Sequence, residues 1–231
     1  MNRQHPLALP PPAGRADWSE GSLLDAATRR ALGSVNLAFL NLAIELAEEG
    51  RLKLISGLPA RAIDSLIDPD AGQRLCERLP YALFDLRFGD GCYWENEIAC
   101  AATAGVQDSA ASPAMDERIV SFARAVIMLV WHLAQTRAAG ARLVFGAASA
   151  TIAALGAMPI GQVERLARRI APTLAARFGS RTRFWLQFEG CAARPDDQAV
   201  NLLQQLGLQI QGADSARLQA LQRRPKRGTA A

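Results

Sequence analysis

An internal repeat constrains this chain more than any other feature, because the sequence aligns with itself at a shift near 91 residues. Isolated matches of Leu or Ala are weak evidence, but Trp occurs only four times in the chain. The specific matches pair Arg74-Leu75 with Arg165-Leu166, Arg87-Phe88-Gly89 with Arg177-Phe178-Gly179 (one residue of slack), and Tyr93-Trp94 with Phe184-Trp185. The repeat predicts two copies of one module of about ninety residues, packed as a pseudo-symmetric pair.

The composition predicts a mainly α fold, because Ala, Leu and Arg favour helices and aromatic residues make up only 6% of the chain. In the first copy, Ser22 is the expected N-cap of a long helix that Gly50 ends. Two short helices should follow, and then a short strand. We expect them at Pro59–Ile67, Asp70–Leu79 and Tyr81–Phe88 respectively.

The second copy is expected to begin with a helix from Asp116 to about Ala139, ended by Gly140. The remaining pattern predicts two short helices, two extended stretches and two further helices. These are Ala147–Leu155, Ile160–Ile170, Thr173–Phe178, Thr182–Phe188, Asp196–Leu206 and Ala213–Leu221. Trp94 and Trp185 are expected to anchor the cores of the two copies.

Four regions follow from these patterns. We expect residues 1–21 to form a disordered arm, and residues 22–104 and 113–190 to form the two modules. Residues 191–231 are expected to form a helical extension that ends in a basic, disordered tail. The stretch Gly105–Ser112 is the linker between the modules.

Charge is distributed unevenly over the two copies. Residues 1–115 hold 10 Lys and Arg against 15 Asp and Glu, a balance of −5, whereas residues 116–231 hold 16 against 7, a balance of +9. One interpretation is an acidic half for protein contacts and a basic half for a polyanion. The other is simply an arginine-rich composition.

No catalytic or metal-binding pattern is found in the sequence. The four cysteines lack CxxC spacing, the two histidines are far apart, and no glycine-rich phosphate loop or Ser/His/Asp arrangement is present. We therefore expect a non-enzymatic protein without cofactors or metal. No uninterrupted apolar run reaches about 18 residues and the N-terminus lacks a signal-peptide core, so we expect a cytoplasmic protein that does not span a membrane.

The modules resemble FlhD, the helical subunit of the flagellar master transcriptional activator, and related regulators of mobile elements. The second copy carries this resemblance in ARLVFGAASATIAALGAMPIGQVERLARRIAPTLAARFGS, and the first in VNLAFLNLAIELAEEGR and YALFDLRFGD. The resemblance covers roughly residues 32–94 and 122–185. Unlike that family, this chain is a tandem fusion with extensions at both ends.

The resemblance implies transcriptional regulation together with a partner subunit, because the FlhD family works with a zinc-containing FlhC subunit that supplies much of the DNA contact. It implies no disulfide here, since the family's cysteine before the Arg-Phe ending has no clear match. Formation of a homo-oligomer is left open. The alternative function is a non-enzymatic protein–protein adaptor, for example an accessory factor of a secretion or conjugation system.

Residues Ala147–Ile170 have the proportions of a helix-turn-helix unit. On its second helix, polar side chains at spacings of three and four share a face suited to bases and phosphates, and later arginines are expected to add backbone contacts. The candidate DNA-binding residues are Gln162, Arg165, Arg168, Arg169, Arg177, Arg181 and Arg183, with the tail residues Arg223, Arg224, Lys226 and Arg227. The alternative is a solvated arginine face on an ordinary surface helix.

Overall fold

The computed structural model describes residues 24–59, 69–103, 115–194 and 196–222, and within them the fold is mainly helical, as predicted. The described residues form nine α-helices, which are α1 (Ala26–Glu48), α2 (Pro69–Arg78), α3 (Gly91–Thr103), α4 (Glu117–Thr136), α5 (Ala138–Phe145), α6 (Ser149–Ala157), α7 (Val163–Ile170), α8 (Thr182–Ala193) and α9 (Asp197–Gln222). Two-residue strands β1 (Phe84–Asp85) and β2 (Ala175–Ala176) form an antiparallel pair. Three 3₁₀ turns lie at Leu52–Leu54, Ile160–Gln162 and Ala171–Thr173.

Several sequence-based boundaries were wrong. Helix α1 is capped by Asp25, not by Ser22. Gly140 does not end a helix but lies buried inside α5, whose terminus is the left-handed Gly146. The stretch Thr182–Phe188 is helical, because its apolar residues continue to Cys191 and Ala192 with helical spacing. The two helices predicted after residue 196 are one, α9.

Other expectations hold in part or lie outside the described residues. The predicted stretches Tyr81–Phe88 and Thr173–Phe178 contain the strands, but each strand has only two residues. The predicted arm, the Gly105–Ser112 linker, the basic tail and all but the first residue of Pro59–Ile67 lie outside the described residues. Helix α8 runs past the predicted module boundary at residue 190.

The two halves correspond at a constant shift of 91 residues. The residue numbers of the N-caps Asp25 and Asp116 differ by 91. At the same shift, Phe84 corresponds to Ala175 and Asp85 to Ala176. The strands pair these residues crosswise, Phe84 with Ala176 and Asp85 with Ala175. Such reciprocal pairing is the geometry of a local two-fold axis. The common origin of the halves stays a prediction, but their arrangement around β1 and β2 is symmetric.

The tryptophans fix the same register. The indole N–H of Trp94 donates to the carbonyl oxygen of Arg87 (3.1 Å), and that of Trp185 donates to the carbonyl oxygen of Phe178 (3.0 Å). Both tryptophans are buried, as predicted. The two acceptor residues, Arg87 and Phe178, are also 91 residues apart. The sequence alignment of the two Arg-Phe-Gly motifs instead paired Arg87 with Arg177, so the backbone does not follow that one-residue shift.

The halves exchange their last helices. Helices α1 and α4 pack against each other, α1 packs against α2, and α4 packs against α7. Helix α3 of the first half then packs against α6 and α7 of the second, while α8 of the second half packs against α2 of the first. Neither half closes its apolar core alone, so the two share one core.

Helix α9 has no counterpart in the described part of the first half. It packs on α8, close to the contact between the two halves. The buried Tyr81 hydroxyl donates to the carbonyl oxygen of Leu203 (2.8 Å), and its ring fills the notch left by Gly207. Any side chain at Gly207 would collide with that ring. Gln204 donates to the carbonyl oxygen of Arg78 (2.7 Å), which ties α9 to the first half.

Helices α1 and α4 are, by length and composition alone, long and apolar enough to cross a membrane. This qualifies the sequence-based expectation, which considered only uninterrupted apolar runs. In the structure both helices contribute residues to the apolar core that the two halves share. Their buried residues include Phe39 and Leu46 in α1 and Ala123 and Val130 in α4.

Candidate nucleic-acid interface

The predicted helix-turn-helix unit, Ala147–Ile170, contains the expected helices and turn, but its helices pack against other helices of the chain. Helix α6, the turn at Ile160–Gln162 and α7 follow one another as predicted. Both α6 and α7 pack mainly on α3 and α4. The start of α6 is tied to the first half, because the Ala148 amide and the Thr151 hydroxyl both donate to the carbonyl oxygen of Phe88. A helix-turn-helix function for this unit stays a prediction.

Two of the candidate arginines reach α3. Arg165 Nε donates to the carbonyl oxygen of Ala101 (2.7 Å) near the end of α3, where helix carbonyls lack partners and attract cations. Arg169 Nε donates to Glu97 Oε2 (2.7 Å), four residues earlier on the same helix. The two arginines do share a face of α7, and that face is directed at α3.

Arg168 belongs to a second group of charges, between α7 and α4. It pairs with Glu117 of α4 (2.6 Å) and with Glu164 of its own helix (3.2 Å). Glu164 also accepts from Arg124 of α4 (2.9 Å). Hydrogen bonding to Glu117 raises the pKa of Arg168. The exposed edge of α7 therefore alternates positive and negative charges.

Gln162 and Arg177 are turned inward. The Oε1 atom of Gln162 is buried and has no hydrogen-bond partner within the described residues. Arg177 is half-buried, and its guanidinium donates to the carbonyl oxygen of Val144 (2.5 Å) and lies against Gly146. Burial lowers the pKa of Arg177 to about 10. Arg177 thus caps the C-terminus of α5 and is removed from the candidate surface in this conformation.

Arg181 and Arg183 lie apart from α7, at the start of α8. Arg181 pairs with Asp214 of α9 (2.7 Å). Arg183 is exposed, and among the described residues it makes no ion pair. Because α8 packs on α2 and α9 whereas α7 packs on α3 and α4, different neighbours hold the two groups of candidate residues.

The acidic partners of these arginines were missed from sequence. Glu164 lies four residues before Arg168, and this helical spacing was a usable signal. Glu97 and Glu117 lie 72 and 51 residues away from their partners, and only the fold brings them together. Many acidic side chains of the first half are thus neutralised by ion pairs with basic side chains of the second half. Pairs that cross between the halves include Glu49–Arg118, Asp25–Arg137 and Glu97–Arg169.

A network of charged side chains joins the end of α1 to the start of α4. The two terminal guanidinium nitrogens of Arg118 each donate to an oxygen of the Glu49 carboxylate at 2.7 Å, and Arg118 also contacts Asp116 (2.8 Å). Arg51 adds a contact to Asp116 at 2.8 Å. The Asp116 side chain is only 6% exposed. Its bonds to Arg118 lower its pKa to about 2.

In the described part of the chain, no three His, Cys, Asp or Glu side chains lie close enough together to hold a metal ion. The four cysteines are free: Cys76 and Cys191 are buried, whereas Cys92 and Cys100 are exposed. Burial raises the pKa of the Cys76 thiol to about 12. Cys76 therefore remains a thiol at neutral pH and is a poor nucleophile.

Comparison with protein-family models, curated proteins and solved structures yields no match.

Proposed function

We propose that this chain is a non-enzymatic, cytoplasmic transcriptional regulator, resembling FlhD, that acts on DNA together with a partner subunit of the FlhC kind. The observation that carries the proposal is the symmetric pairing of the two halves around β1 and β2, with its register of 91 residues. A covalent pseudo-dimer presents two related surfaces in a fixed orientation, as a homodimeric regulator does by association.

The pairing of the arginines limits how this chain contributes to DNA binding. Arg165, Arg168 and Arg169 are all engaged by acceptors of their own chain, and an ion-paired arginine attracts phosphate less than a free one. We therefore assign most of the DNA contact to the partner. This chain positions the partner and adds a smaller electrostatic contribution.

The adaptor without a nucleic-acid role is the second candidate. The observation that favours it is the near balance of charge on the exposed edge of α7, where Arg124, Arg168 and Arg169 meet Glu117, Glu164 and Glu97. A surface of balanced charge offers little attraction to a polyanion. The two candidates therefore differ in whether binding to a DNA duplex is salt-dependent.

A pull-down of the tagged full-length protein from its native cytoplasm distinguishes the two candidates. For the regulator we expect recovery of a zinc-containing partner subunit, with DNA that is lost at high salt. Recovery of secretion or envelope components, without DNA at low salt, would favour the adaptor instead.

Charge reversal of Arg165 and Arg169 to Glu tests the α7 surface in the assembled complex. If these arginines help to hold DNA, the double variant binds duplex DNA more weakly and with a shallower salt dependence. Unchanged DNA binding would remove α7 from the interface.

Exchanging the charges of Arg169 and Glu97 distinguishes a direct contact of Arg169 with DNA from a structural role of Arg169. Arg169→Glu alone breaks the pair with Glu97, whereas Arg169→Glu combined with Glu97→Arg keeps a pair of the same two charges in exchanged positions. If DNA binding returns with the swap, Arg169 acts by holding α7 on α3. If DNA binding stays low although the fold is restored, Arg169 itself contacts DNA.

A further inference from the structure

The contact of β1 with β2 joins side chains of unequal size. Phe84 of the first half is fully buried, and its ring centroid lies 5.0 Å from that of Phe122 in the second half. At the shift of 91 residues, the counterparts of Phe84 and Phe122 are Ala175 and Ala31. The strand partner of Phe84 is Ala176, another small residue. The first half therefore supplies a large ring beside the local two-fold axis, and the second half supplies alanines that leave room for it.

Two like halves would not fill this contact in the same geometry. A pair of first halves would place Phe84 of each copy opposite Asp85 of the other, and a carboxylate held against a buried ring is costly. A pair of second halves would place Ala175 opposite Ala176. The space of the Phe84 ring would then be empty, and a cavity of that size is strongly destabilising. Unlike halves avoid both conflicts.

An ion pair between the halves discriminates in the same direction. Glu49 of the first half pairs with Arg118 of the second half at 2.7 Å. The counterparts of these two residues are Gly140 and Ala27. Two first halves would therefore set Glu49 against Ala27, and two second halves would set Arg118 against Gly140. Either like pairing leaves a charge without its partner across the contact.

The pair between Glu97 and Arg169 does not discriminate in this way. It also joins the two halves, at 2.7 Å, but the counterpart of Arg169 is Arg78. Glu97 would therefore meet an arginine in a pair of first halves as well. The residues that distinguish unlike from like halves are thus Phe84 and Asp85 at the strands, with the ion pair at the end of α1.

We propose that the surface joining the halves is selective for unlike halves, so that each half binds the other and rejects a second copy of itself. Such selectivity needs features that oppose the wrong partner as well as contacts that favour the right one. The conflict of Phe84 with Asp85 opposes pairs of first halves, and the empty space opposes pairs of second halves. A second copy of the chain can therefore join this surface only by exchanging unlike halves. The inference does not rest on the proposed function, because an adaptor would need the same pairing.

The selectivity is tested on the full-length chain with a protease cleavage site inserted within residues 105–112. The folded protein is cut there, both fragments are unfolded together in urea and refolded, and native mass spectrometry counts the three possible pairs. Unlike pairs are expected to exceed each kind of like pair at least about tenfold. Mixing isotope-labelled with unlabelled cut protein, without unfolding, gives the same ratios from exchange. Like pairs at the frequency of random association would overturn the proposal.

Two variants of the cut protein make the test specific. Asp85→Asn keeps the side-chain shape and the acceptor of the Phe88 amide (3.1 Å), but it removes the carboxylate that would face Phe84 in a pair of first halves. Pairs of first halves should therefore increase severalfold relative to unlike pairs. Glu164→Gln removes a charge that pairs within the second half and should leave the ratios unchanged. Unchanged ratios in Asp85→Asn, or an equal change in both variants, would contradict the assigned selectivity.

Discussion

The same contact between a long and a short helix is built differently in the two halves. Where α1 meets α2, Gly33 allows close approach, and a Cβ atom there would lie 2.8 Å from Glu77 Cα. At the corresponding contact of α4 with α7, Arg124 replaces Gly33, and it bridges through Glu164 to Arg168. One half uses backbone proximity and the other uses ion pairs. Equivalent positions in a repeat can therefore have equal geometry and different energetics.

The two tryptophans provide the strongest test of the equivalence of the halves. Trp94 and Trp185 are both buried and make the same hydrogen bond to a carbonyl seven residues earlier. Trp94→Ala and Trp185→Ala should each lower the free energy of unfolding by about 3–5 kcal/mol through lost burial and a cavity. Urea unfolding followed by circular dichroism measures both. A loss below about 1 kcal/mol for either one would break the equivalence.

Gly33→Ala tests the close approach of α1 and α2. Alanine should gain about 1 kcal/mol of helix propensity, but its Cβ would meet the Glu77 backbone, and overpacking of this kind costs about 1–3 kcal/mol. We expect a net loss of stability in thermal unfolding. The matched change Arg124→Ala removes only an exposed pair and should cost less than about 1 kcal/mol. A stabilised Gly33→Ala variant would show that the helices separate easily.

Replacing the N-cap residues Asp25 and Asp116 is expected to lower stability by an intermediate amount. Asp25 accepts from the Thr28 amide (2.7 Å) and Asp116 from the Arg118 amide (3.0 Å). Asp116 is also enclosed by Arg118 and Arg51, whereas the Asp25 side chain is 44% exposed. At pH 7, replacement by Ala should therefore cost about 2 kcal/mol at Asp116 and less than that at Asp25. The reverse order in urea unfolding would contradict this assignment.

The pH dependence of the Asp116 contribution follows from the direction of its pKa shift. Its folded pKa of about 2 lies below the ordinary value of 3.8. The stabilisation is therefore complete above about pH 4 and is lost as the pH falls towards 2. Wild type and Asp116→Ala should differ in stability at pH 7 and converge near pH 2. A difference that is constant from pH 7 to pH 2 would exclude the charged carboxylate as its source.

The smallest effect is expected at Glu164. Its pairs with Arg124 and Arg168 join side chains that are 42–49% exposed, so Glu164→Gln should lower stability by less than about 1 kcal/mol. The loss should disappear in about 1 M salt, where screening removes such interactions. A loss that persists at high salt would mean that Glu164 acts through packing and not through charge.

Much of the fold could be predicted from local patterns, and the failures have identifiable causes. The repeat register, the helical class and the buried tryptophans were predicted from residue spacing and rarity. Thr182–Phe188 was misassigned because Phe184, Leu186 and Phe188 alternate over a short window, which mimics a strand. The prediction that Gly140 ends a helix failed because glycine is common just after helix ends, whereas here Gly140 is buried within α5.

The candidate site was predicted only in part. The shared face of Arg165 and Arg169 follows from their spacing, and the structure places both against α3. Their acceptors could not be predicted, because Glu97 and the carbonyl of Ala101 belong to the other half of the chain. The inward position of Arg177 was equally hidden, since it depends on the carbonyl of Val144 at the end of α5.

The sequence by itself determined the helical class, the 91-residue register and the charge difference between the halves, because each of these is a property of neighbouring or evenly spaced residues. Only the tertiary structure decided which charged side chains pair with each other and which helices pack on the opposite half. The physical reason is that Arg169 and Glu97, 72 residues apart, meet only after α3 crosses onto α7. That crossing is governed by burial of a core that the two halves share, and no local pattern records it.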